Sequence, residues 1–277
     1  MEAILKIPFL LVTMLVGGGL AQAQTTDQTT PAQPSQPASE QQSDDIELST
    51  DRPGFLTSTD VVPKGHIQLE SGIMAERSGD DRSYSFGQLL VRVPVSSRAE
   101  ARVGVPSYLV SRSGGMRDTG ADNVFLEGKY LLASRKNASY AILVNAFLPT
   151  GSRRVTTREF QPGVNLAADY TFCDKVGATF NVGAVRTADD DSATGSTSHS
   201  TQLFGAASFN FTLSPKTGAF AELYAEGGDG PTQKYVDGGF TYLLNPRTQL
   251  DASAGVGLGN DAGGPDYFYA VGVSRLF

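Results

Sequence analysis

DYFYAVGVSRLF, residues 266–277, alternates apolar side chains with small or polar ones and stops on a bare aromatic, Phe277. Tyr267, Tyr269, Val271, Val273 and Phe277 share one parity, so a strand here offers one apolar face. Arg275 falls on the same parity, where a long stem can carry its charge from an interface out to water. No turn or cap follows, so the edge of this strand has to be paired from elsewhere in the chain. Pairing with the first strand of a ring leaves no free edge and satisfies every backbone donor and acceptor, even in lipid. The expectation is a closing strand, with Phe277 as the aromatic assembly signal read by the barrel-assembly machinery.

The same alternation runs back through the chain as far as residue 65. Twelve segments of about ten residues are expected as strands: 65–77, 83–95, 99–110, 123–133, 138–149, 162–172, 175–187, 200–213, 218–227, 234–244, 249–259 and 266–277. Gly, Asp, Asn, Ser and Pro separate them, and no window keeps a helical period. In the first, Ile67, Leu69 and Ile73 oppose Gln68, Glu70 and Glu76; in the sixth, Val164, Leu166 and Tyr170 oppose Asn165, Asp169 and Thr171. A soluble sandwich would alternate in this way too. Strand length and connections favour a membrane barrel, because a tilted strand needs about 9–11 residues to cross a bilayer. Short connections at 96–98, 134–137, 173–175, 214–217 and 245–248 alternate with longer ones at 111–122, 150–161, 188–199, 228–233 and 260–266. The fold class is therefore all-β: a transmembrane antiparallel outer-membrane barrel of twelve strands, with both termini on the periplasmic side.

Composition agrees with export to a Gram-negative envelope. Lys6, an apolar run from 7 to 20 and Ala21-Gln22-Ala23 follow the pattern of a signal peptide over 1–23. Residues 24–45, rich in Gln, Pro, Ser and Thr, cannot bury enough apolar surface to order themselves. Residues 46–64 read as a periplasmic segment able to enter the lumen, with Asp51 and Arg52 as its pairing residues. Cys173 is the only cysteine, so no disulfide can staple the chain. A net charge of −7 offers no basic stripe for nucleic acid.

If the apolar parity faces lipid, the opposite parity lines the lumen. It carries Glu70, Arg92, Glu100, Arg102, Glu127 and Lys129 on the first four strands, then Asp169, Glu222, Glu226, Asp237 and Asp251 further on. A hydrated path with this lining would favour cations or neutral polar solutes. A closed lumen would be an ion-pair plug, with Glu100 and Arg102 set against Glu127 and Lys129, and strand count alone permits either. Arg112, Arg117, Arg153, Arg154 and Arg158 gather positive charge at the outer mouth, for solute capture or contact with lipopolysaccharide phosphate. Chemistry has little footing. The only histidines are His66 and His199, no metal-ligand spacing or phosphate-cradling loop is present, and only Ser198, His199 and Asp189 could form a catalytic trio. No catalytic, cofactor or metal residue is assigned.

TDRPGF (50–55) and VVPKGHIQLESG (61–72), with ARVGVPSY (101–108), FLEGKYLLAS (125–134) and LPTGSRR (148–154), resemble the outer-membrane proteins grouped under the meta-pathway of phenol degradation. The resemblance implies a barrel linked to uptake of aromatic or other hydrophobic compounds and brings no ligand residues with it. Gly54 departs from the family, where an acidic or polar residue is usual.

Overall fold

The computed structural model describes residues 48–157, 159–191, 196–228, 230–259 and 264–277, so the signal peptide, the leader and residues 46–47 lie outside the described residues. Its strands are β1 (Gln68–Ser78), β2 (Asp81–Pro94), β3 (Ala99–Gly104), β4 (Tyr108–Ser113), β5 (Met116–Ala121), β6 (Val124–Ser134) and β7 (Ala138–Leu148). They continue with β8 (Gln161–Cys173), β9 (Val176–Asp191), β10 (Ser196–Ser214), β11 (Thr217–Gly227), β12 (Gln233–Asn245), β13 (Thr248–Gly257) and β14 (Tyr267–Leu276).

From β6 to β14 each strand pairs antiparallel with the next, and β14 then pairs with β1 from Gln68↔Leu276 to Arg77↔Tyr267. Ile67 and Phe277 extend this seam by exchanging backbone hydrogen bonds of 3.3 and 2.9 Å. The stretch 266–277 thus closes a ring of twelve strands, in which β4 prolongs β3 and β5 prolongs β6.

Outward positions are apolar and uncovered: Ile73, Val144, Leu203, Phe240 and Tyr269 are 45 to 61% exposed. Inward positions such as Glu70, Arg92, Lys129, Asn165 and Glu222 are buried. A surface this apolar over an interior this polar suits a hydrocarbon surround and is the inverse of a water-soluble core. Tyr130, Tyr170 and Tyr242 stand exposed toward the short-turn ends of their strands. Arg275 places its guanidinium 5.1 Å from the Phe277 ring centre.

Two connections differ from expectation. Residues 111–122 are a tight hairpin, β4–β5, turning at Gly114 and Gly115, whose φ of +56° and +79° suit the primed turns that match strand twist. Most of 188–199 is likewise strand, since β9 and β10 pair out to Asp191↔Ser196. Both pieces project past the apolar band. There neither face lies against hydrocarbon, and the alternation that reveals a half-buried strand disappears.

The wall is interrupted at one level on four neighbouring strands. The β1–β2 register shifts between Glu70 and Gly72, opposite Gly87 (φ +102°) and Gln88 (φ +34°) in β2. Val105–Ser107 separate β3 from β4, with Pro106 unable to donate to a ladder, and Asp122–Asn123 separate β5 from β6. A bulge bends a strand and reverses its facing. Even-numbered residues of the second and third staves face inward below the break, as Arg92 and Arg102 do, and outward above it, as Phe86 and Tyr108 do.

Candidate functional site

The residues ahead of β1 pass through the ring, and the wall provides for their backbone groups one by one. Thr57 N–H donates to Asn181 Oδ1 at 2.9 Å, while Asn181 Nδ2 donates to Thr57 O at 2.8 Å, so the amide acts like a rung of ladder. Phe55 N–H donates to Glu222 at 3.1 Å, Thr59 N–H to Asp169 at 2.6 Å and Val62 N–H to Glu100 at 2.7 Å. The carbonyls go to cations: Lys129 Nζ donates to Ser58 O at 2.8 Å and Asp60 O at 2.9 Å, and Arg92 to Ser49 O at 2.9 Å. An irregular segment inside a barrel is tolerable only with such partners.

Asp51 is the centre of this arrangement. Its carboxylate pairs with Arg102, lies 3.7 Å from both Arg92 and Lys129, and accepts the Ser58 N–H at 2.9 Å. Burial alone would raise its pKa. Lys129, Arg92 and Arg102 outweigh burial and hold the carboxyl well below the usual carboxylate range. Around it, Arg92 bonds Glu70 at 2.7 Å and Glu100 at 2.8 Å, and Arg102 bonds Glu127.

Arg52 forms a second anchor on the seam. It bonds Asp251 at 3.2 Å, Gln88 Oε1 at 3.2 Å and Val271 O at 3.2 Å. Its guanidinium lies flat on the backbone of Gly72 and Gly272, which face each other in register. A Cβ on either glycine would come within 2.3 Å of it. Gly54 has a similar cause, since a Cβ there would stand 2.6 Å from the Glu222 carboxylate that receives the next residue's N–H.

Above the segment, away from the termini, the lumen becomes aromatic. Phe55 sits 4.6 Å from Tyr224 and 5.2 Å from Phe268, and Tyr224 stacks on Tyr235 at 4.6 Å. Two adjoining cavities of about 200 and 260 Å³ share Phe55, Met74, Asn123, Phe147 and Val185 in their walls. Asn123 also ties down the following connection, accepting Gly151 N–H at 2.9 Å and donating to Thr156 Oγ1 at 2.8 Å.

Nine of the eleven residues named for the lumen meet the inserted segment or one another; Glu226 lines the aromatic cavity, and Asp237 lies buried across from Glu222. Arg112 and Arg117 are not on a long loop at the mouth but face each other on the β4–β5 hairpin, on its outward side. Arg153 and Arg154 are exposed in the 149–160 connection, Arg154 at the cavity edge, and Arg158 lies outside the described residues. Ser198 and His199 are successive strand residues on opposite faces, and the His199 ring lies 3.9 Å from Glu159, so they form no trio with Asp189. Sequence reasoning missed Tyr224 and Tyr235, although parity with Glu222 and Asp237 marks both as inward.

A family model described as "Putative MetA-pathway of phenol degradation" matches residues 50–274. Among proteins of curated function, none matches this sequence. The fold is similar to that of an outer membrane channel from Pseudomonas putida F1: TM-score 0.65, 13% identity, 83% of this chain and 100% of that one. It is also similar to NanC porin (TM-score 0.51, 10% identity, 76% and 98% covered) and to KdgM porin (TM-score 0.51, 11% identity, 76% and 99%).

Proposed function

The chain belongs to this phenol-degradation MetA-pathway family, and from that premise we propose that it is an outer-membrane channel carrying small aromatic or otherwise apolar solutes. The observation that supports this most is the aromatic-walled cavity standing directly on the inserted segment, with Phe55 as its floor. Such a chamber suits a compact apolar solute that stacks on its rings, with polar groups such as Glu76, Glu226 and Gln233 to orient it. The segment from 48 to 64 acts as the plug, and Asp51 and Arg52 latch it. Both termini face the periplasm in this reading, which puts the aromatic cavity on the outer side.

Liposomes loaded with the purified protein test the transport reading: entry of phenol should be accelerated over protein-free vesicles, and Tyr224→Ala should remove most of the gain. No acceleration overturns it. Orientation is tested separately on intact cells with a membrane-impermeant maleimide. The exposed Cys173, at the end of β8 beside a short turn, should stay unlabelled, whereas Asp80→Cys in a Cys173→Ser background should label.

A second reading, a structural barrel permanently closed by its plug, draws on the density of wall-to-segment hydrogen bonds. Planar-bilayer recordings that stay silent, together with no solute entry, would favour it.

A further inference from the structure

Four arginines stand in one cross-strand row on adjacent strands. The register gives Arg77↔Arg82 between β1 and β2, Arg82↔Arg112 between β2 and β4, and Arg112↔Arg117 between β4 and β5. Directly opposed residues of antiparallel strands project from the same face, and like charges placed so are destabilising. Asp80 and Asp266, in the adjoining connections, offset part of the repulsion at Arg77, and no acid among the described residues does so for the other three. Arg82, Arg112 and Arg117 are exposed and make no ion pair among the described residues. Arg77 donates to Gly79 O at 2.8 Å and Tyr267 Oη at 3.4 Å, both neutral. The nearest acids on these strands, Asp81 and Asp118, fall on the opposite parity, and Asp81 accepts the Ser113 hydroxyl at 2.9 Å.

The face carrying the row is the lipid face. Four residues down each of β1, β2 and β4 lie Ile73, Phe86 and Tyr108, which pair across the same strands and are 40 to 51% exposed. Ile67, which extends the seam just ahead of β1, and Arg77 are ten positions apart. That is about 34 Å of strand, or about 26 Å of height at a tilt near 40°, close to the ~25 Å of a barrel's apolar band. The row therefore stands at the upper rim of the band, at head-group level.

We infer that Arg77, Arg82, Arg112 and Arg117 form a binding site for the phosphate groups of lipopolysaccharide in the outer leaflet. Arginine forks bind phosphate oxygens in pairs, and four on a shallow twisted surface can engage the two phosphates of one lipid head group. Lipid acyl chains would lie along the Ile73, Phe86 and Tyr108 face below. The inference rests on the orientation proposed above, and detergent binding assays test it without assuming that orientation.

Purified full-length protein in detergent is titrated with lipopolysaccharide and with the same lipid after phosphate removal. Binding should weaken at least about tenfold on dephosphorylation, and by a similar factor in Arg82→Gln/Arg112→Gln. Arg117→Gln, at the exposed hairpin end, should weaken it severalfold and serves if the double variant does not give a heat-modifiable barrel. Arg135→Gln/Lys136→Gln, in the exposed short turn between β6 and β7, should bind as wild type. Equal affinity for the dephosphorylated lipid, or undiminished binding by the row variants, overturns the inference. So does displacement by millimolar inorganic phosphate, which would point to a free anion as the ligand. Should the row bind as described while the maleimide pattern is reversed, the orientation fails and the phosphate chemistry stands.

Discussion

The lumen has two storeys built on opposite principles. Near the termini, Glu70, Arg92, Glu100, Arg102, Glu127 and Lys129 interlock through ion pairs, and the inserted segment is one of their partners. Above Phe55, stacked and tilted rings surround empty volume, and Glu226 Oε2 finds no hydrogen bond. Filled polar networks specify one arrangement and resist change. Rings around a cavity leave a guest something to touch. In the function proposed above, the lower storey closes the barrel and the upper receives the solute.

Removing residues 48–62 should break the contrast most. With the barrel still heat-modifiable on gels, single-channel conductance should rise about tenfold or more, since only hydrated charges would remain in the lower storey. Unchanged conductance would place the constriction elsewhere. Asp51→Ala should come next. It leaves three buried cations facing no common anion, at a cost of about 3–5 kcal/mol, read as a lower urea midpoint for loss of the folded gel band.

Tyr224→Ala sharpens the comparison from the other side: phenol entry should fall about fivefold or more, while ionic conductance stays near wild type. Gly272→Ala should cost about 1–3 kcal/mol and add current noise, because the new methyl meets the Arg52 guanidinium. The smallest effect concerns acidity. A carboxyl held below its unfolded value contributes stability above that value and loses it only as pH falls through the folded one. The Asp51 latch should therefore add no pH dependence to conductance between about pH 8 and about pH 5.

Much of this was legible because the bilayer imposes a two-residue period wherever a strand crosses it. Ile67, Leu166 and Phe240 on one face, with Glu70, Asn165 and Asp237 on the other, define membrane and lumen without reference to coordinates. The reading weakened where that solvent contrast ended. Ser111 to Asp122 looked like a loop because a hairpin with neither face against hydrocarbon carries no alternation. Arg82 has the parity of Arg92, so only the bulge at Gly87 and Gln88 shows that the two face opposite ways. Asp51 and Arg52 could be named as pairing residues from chemistry alone. Their partners could not, because Arg52 and Asp251 are 199 residues apart and meet only through ring closure.

Arg52 touches β1 at Gly72, β13 at Asp251 and β14 at Val271 and Gly272. One side chain thus spans the seam where the earliest strand of the ring meets the latest. Its full set of contacts exists only where β13 and β14 have met β1. A closed ring is therefore part of the seat, and the guanidinium works like the tongue of a buckle, held only where first and last strands are joined.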